Sequence, residues 1–169
     1  MRIEEGGVSA EAVVAVVKSS VKRGNLAPAV QDTDMRVSAV ELVLKVVAGR
    51  SRGGRLTFRI PVIGTPVSLG GTVKRVNTQS ITIALVPPPP AAEHEVRDGE
   101  VEQALVDAVA TVRQVVAAAA LGDDPWQLRE GKVELEFAVT DTGSIVVGIE
   151  AEQTGEITHT LRLMLEPGA

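Results

Sequence analysis

The chain has 169 residues, a formal net charge of −5, a pI near 5.1 and no cysteine. Disulfides, thiolate chemistry and cysteine-based zinc sites are thereby excluded, and the acidic balance argues against general nucleic-acid binding, which needs a basic footprint. With two Phe, one Trp and no Tyr, Val and Ala must build the core, which disfavours a deep pocket lined by aromatic side chains.

Residues 1–8 are acidic and lack the apolar run of a secretory signal, and no apolar stretch reads as long enough to span a membrane. A cytoplasmic location is the expectation. Ser9 is placed to cap a first helix, with Glu11 in its first turn and Val13, Val16, Val17 and Val21 at helical spacing. Gly24-Asn25 should stop it, and the stretch from Leu26 to Asp34, with Pro28 inside, reads as loop. The alternation of Val40, Leu42, Leu44 and Val46 predicts a strand over Val37–Val47, with Glu41 and Lys45 on the opposite face. A glycine-bounded turn leads to a second strand, Arg55–Ile63, placed at an edge or bulged because Pro61 cannot donate to a ladder. A third strand, Thr78–Val86, should turn Ile81, Ile83 and Leu85 inward.

Four prolines, Pro87–Pro90, open an extended spacer. A second helix, capped by Asp98-Gly99-Glu100, is expected to run to about Leu121, apolar around so much of its circumference that it needs covering on more than one side. Three further strands follow, Lys132–Thr140, Ser144–Glu152 and Ile157–Glu166, joined by the tight turns Asp141-Thr142-Gly143 and Thr154-Gly155-Glu156. Their short connections predict an antiparallel meander with Leu161, Leu163 and Leu165 inward.

The two halves share a pattern. Slid forward by 93 positions, Met35–Val46 lies on Leu128–Val139 so that Arg36, Val40-Glu41-Leu42 and Val46 meet identical residues, and Leu44 meets Phe137. A second match lays Gln79–Pro87 on His159–Pro167. The expected architecture is therefore α+β, as two tandem αβββ units: residues 1–87, a Pro-rich linker 88–99, and residues 100–169. Each unit would pack one helix on a three-stranded antiparallel meander, and a pseudo-two-fold axis would relate them.

The segment Leu128-Arg129 through Thr140, followed by Thr158-His159-Thr160-Leu161-Arg162-Leu163 through Pro167, resembles the second trypsin-co-occurring domain family of bacteria. The resemblance covers residues 100–167 well. It extends more loosely over 8–87, through Val40-Glu41-Leu42 and Thr78–Ile83. It implies non-catalytic adaptor modules encoded near, or fused to, trypsin-like peptidases and signalling NTPases of bacterial conflict systems.

Chemistry-bearing residues are few. His159 shares strand parity with Leu161 and Leu163 and reads as a histidine at the rim of the apolar face. His94 lies in the linker, which offers a metal no rigid geometry. Gly64 through Lys74 lacks the Gly-Lys-Ser/Thr of a phosphate loop, and neither a serine-protease triad nor a nucleophile elbow is visible. Arg50, Arg52 and Arg55 with Lys74 and Arg75 could gather into a basic patch, although a solvated turn is the plainer reading. Trp126 either packs over the end of the second helix or anchors a partner.

These readings lead to a non-enzymatic interaction or assembly module without metal or cofactor. The expected partner is a protein, with a trypsin-like peptidase or a signalling NTPase as candidates, and self-association is a further expectation. Arg50, Arg52, Arg55, Lys74, Arg75, Trp126 and His159 form the candidate partner surface. A ligand sensor with its site between the repeats is the alternative.

Overall fold

The computed structural model describes residues 1–3, 7–26, 35–50, 52–63, 78–88, 99–124, 126–148 and 157–168. The fold is α+β, with two helices and a mainly antiparallel sheet that has eight strands among the described residues. In chain order the elements are β1 (Val8–Ser9), α1 (Ala10–Asn25), β2 (Met35–Arg50), β3 (Leu56–Ile60), β4 (Val62–Ile63), β5 (Gln79–Leu85), α2 (Gln103–Ala117), β6 (Gly131–Thr140), β7 (Ile145–Val147) and β8 (His159–Pro167).

Helix α1 starts as its sequence predicts, with the Ser9 hydroxyl accepting the Ala12 N–H at 3.2 Å, a cap that stabilises by about 1 kcal/mol. Its end differs in meaning. The helix runs through Gly24, which serves packing rather than termination: a Cβ there would come within 2.6 Å of the Val109 side chain, so the missing side chain lets α1 and α2 approach closely. Asn25 then ties the helix to β2, accepting the Val37 N–H at 2.9 Å and donating to the Val37 carbonyl at 3.1 Å.

β2 is the spine of the sheet. Its early part, Met35–Val43, pairs with β8, its middle, Val40–Val46, with β5, and its end, Val47–Arg50, with β3. In the second half β6 pairs with β8 over Gly131–Phe137 and with β7 over Phe137–Val139. The expected meander order is thus corrected: in each half the first strand, not the second, lies in the centre. The reason is local. Pro61 has no N–H to donate and splits the predicted second strand into β3 and β4, which diverge. β3 stays antiparallel to β2, while β4 turns to pair in parallel with Val139 and Thr140 of β6. Both first strands are long and uninterrupted enough to carry a neighbour on each side within their own half.

Both halves contribute to one core. Val13, Val16, Val17 and Val21 of α1 and Leu105, Val109 and Val112 of α2 meet Leu42, Leu44, Val46, Phe137, Leu161, Leu163 and Leu165 of the sheet in a single buried cluster. A bulge between Val37 and Ala39 resets the alternation of β2, so Met35 and Val37 also face inward.

Two further expectations are corrected. Glu102, not Asp98-Gly99-Glu100, precedes the first turn of α2, and its side chain makes no cap; Glu100 accepts from the Met1 ammonium instead. Gln103–Ala120, the helix with its short 3₁₀ extension, is also long and apolar enough by length and composition to cross a membrane, because its many alanines keep hydropathy high around Asp107 and Arg113. One side of it is seated on the core; on the other, Val115 is 68% exposed. Of the four prolines, Pro87 and Pro88 are described and carry no regular structure, and the phosphate-loop candidate Gly64–Lys74 lies outside the described residues.

Candidate functional site

The most elaborated part of the molecule is the seam where β8, from the second half, lies between β2, from the first, and β6. Leu161 sits opposite Leu42 on one side and Leu135 on the other, so each inward residue of β8 is packed from two directions. Leu161, Leu163 and Leu165 are fully buried, and each contributes roughly 2–3 kcal/mol through its removal from water.

The outward face of the seam is charged. Register places Arg162 between Glu41 and Glu134. Its Nε donates to Glu134 at 2.8 Å and one terminal nitrogen donates to Glu41. Hydrogen bonds from Glu134 first, and then Glu41, hold its pKa above the ordinary arginine value. Beside it, the hydroxyls of Thr158 and Thr160 each donate to Glu136 at 3.1 Å. These contacts cross three strands on the half-exposed outer face, so they fix register more than they stabilise.

His159 closes the inner end of the seam. β8 stops pairing with β2 at Thr160–Val43, and β3 takes over only at Val47. The Lys45 N–H would be unpaired in that gap; the His159 Nδ1 accepts it at 3.0 Å. This bond fixes the tautomer with the proton on Nε2. The ring packs against Phe137 with centroids 5.2 Å apart, and its Nε2 is buried with no hydrogen-bond partner among the described residues. Burial chiefly, with the Lys45 charge second, lowers its pKa to about 4.

Arg113 joins the halves at the helix layer and is only 6% exposed. Its Nε donates to the Met35 carbonyl at 2.6 Å and its NH1 to the Gly24 carbonyl at 2.8 Å, so α2 satisfies the end of α1 and the start of β2. Ser20 of α1, fully buried, accepts the Glu102 N–H at 3.1 Å. Sequence reasoning missed both. The available signal was that Asp107 and Arg113 are the only charges between Gln103 and Leu121.

The seven candidate surface residues do not converge. Arg50, Arg52 and Arg55 are exposed at the β2–β3 turn, where Arg50 donates to the Gly54 carbonyl at 3.3 Å; Lys74 and Arg75 lie outside the described residues. Trp126 is 73% exposed and so does not pack over the end of α2. It precedes Gly131, which pairs beside the start of β2, whereas the arginines stand at the end of β2. About 40 Å of strand separates the two regions. His159 lies between them and below the surface, only 1% exposed. Among the described residues, no group of three or more His, Asp or Glu could hold a metal ion.

No curated protein and no solved structure matches the chain. Residues 8–87 match the model of trypsin-co-occurring domain 2. That is the half in which the sequence resemblance is looser, and it holds the spine strand β2, its turn to β3, and β5. The chain thus carries a match to the trypsin-co-occurring domain 2 family over residues 8–87.

Proposed function

We propose that the chain is a non-enzymatic interaction module, an adaptor of a bacterial protease-linked conflict or signalling system acting in the cytoplasm. Its two αβββ units would descend from one pattern and be related by a pseudo-two-fold axis. The unit reading is supported by repeated connectivity: β2 pairs with β3 and β5 as β6 pairs with β7 and β8. The adaptor reading is carried by the seam. One strand of the second half lies against the spine strand of the first, joining the halves in one sheet with exposed features toward its ends, the arginine turn and Trp126. The partner is a protein, with a trypsin-like peptidase first among the candidates, as the family's name records co-occurrence with trypsin.

The test is co-purification with a trypsin-like peptidase encoded beside the gene. Trp126→Ala, or Arg52→Glu with Arg55→Glu, should weaken capture at least about tenfold while leaving stability within about 0.5 kcal/mol. Absence of capture by the unmodified chain would sink the adaptor reading. The sensor alternative, with a ligand between the units, is favoured by one observation, the buried Nε2 of His159 at the junction of the halves, which has no partner among the described residues.

A further inference from the structure

The third strands of the two halves end in opposite situations. β8 has β6 on one side and β2 on the other, whereas among the described residues β5 pairs with β2 alone. Its sequence, Gln79-Ser80-Ile81-Thr82-Ile83-Ala84-Leu85, contains no charge, no proline and no bulge, the devices by which sheet edges normally resist pairing. The inward side chains Ile81, Ile83 and Leu85 remain only half-buried.

The backbone of this edge has a definite phase. Lys45 turns its N–H toward His159, on the β8 side of β2. By alternation, Leu42 and Leu44 turn theirs toward β5, and so do their opposites Ile83 and Ile81 toward β2. Ser80, Thr82 and Ala84 therefore present N–H and C=O to the open side. These residues are centred on a local palindrome, Ile81-Thr82-Ile83, flanked by the small Ser80 and Ala84. An antiparallel copy of the same strand, centred on Thr82, meets every requirement of the edge. Thr82 opposes Thr82, Ser80 opposes Ala84, and Ile81 lies beside Ile83 on the core face. In a chain of net charge −5, a strand without charge can meet its own copy without repulsion.

We infer that β5 is a self-association edge, pairing with β5 of a second copy about a two-fold axis to extend the sheet across the dimer. The inference rests on the assembly reading above and names its partner as this same chain. Sedimentation of the full chain over a concentration series tests it. The unmodified chain should dimerise. Thr82→Pro should weaken the dimer roughly 100-fold or more by removing outward hydrogen bonds, while keeping the β2–β5 ladder because that N–H faces outward. Thr82→Lys should act similarly by placing like charges across the axis. The chain has no cysteine, so Thr82→Cys supplies a unique thiol, which a short bis-maleimide should join into dimers. Thr111→Cys, on the exposed side of α2, should not be joined. A monomer at all concentrations, or a dimer indifferent to Thr82→Pro, overturns the inference. Capture of the peptidase by a monomeric Thr82→Pro variant separates this outcome from failure of the adaptor reading.

Discussion

β5 and β8 occupy the corresponding place in the two halves and show what a second neighbour does to a strand. β8 is gripped by β2 and β6, its three leucines are dry, and its polar residues Arg162, Thr160 and His159 all find partners across strand boundaries. Among the described residues β5 pairs with β2 alone, its aliphatic residues stay half-exposed, and Thr82 and Ala84 are exposed. Burial is therefore concentrated where the halves interlock.

Substitution can sharpen that contrast. Leu161→Ala should cost about 4 kcal/mol, and Ile83→Ala only about 1 kcal/mol, in denaturant unfolding followed by circular dichroism. Equal costs would mean that β8 is not held from both sides. Arg113→Met comes next, at about 3 kcal/mol, because it leaves the buried carbonyls of Gly24 and Met35 without its donors.

His159 predicts a pH effect of similar size. Its folded pKa, about 4, lies below the ordinary 6.5, so between these values the unfolded chain binds more protons. Its contribution is complete above about pH 6.5 and lost as pH falls toward 4, amounting to about 3 kcal/mol. His159→Gln should flatten that slope relative to the unmodified chain, and an unchanged slope would reject the buried neutral ring. The smallest effect belongs to Arg162→Ala, since its ion pairs lie on the outer face of the sheet within reach of solvent. Added salt should shrink even that difference.

Much of the fold is legible from alternation. Leu42, Leu44, Leu161, Leu163 and Leu165 announce their strands because one face of each strand must be apolar, and Ser9 announces a helix start because its hydroxyl satisfies an orphan N–H. The break at Pro61 is legible for the same kind of reason, a missing donor. Strand order is not, since short turns fix which strands are consecutive but not which one is central. Nor is the seam. That β8 would insert beside β2 depends on pairing residues in opposite halves of the chain, such as Glu41 with Arg162. The candidate site is less legible still. His159 shows its parity in sequence, but the gap between β8 and β3 that it closes exists only once both strands abut β2.

The central claim is that the two halves are one body locked at β8. Native-state hydrogen exchange on the full chain tests it most directly. The amides of Val43 and Thr160 should share the highest opening free energy with those of Val133 and Leu135 in β6, all exchanging through one global unfolding event. Exchange of β6 and β8 at a distinctly lower free energy, with β2 still protected, would show two independent units and contradict the account.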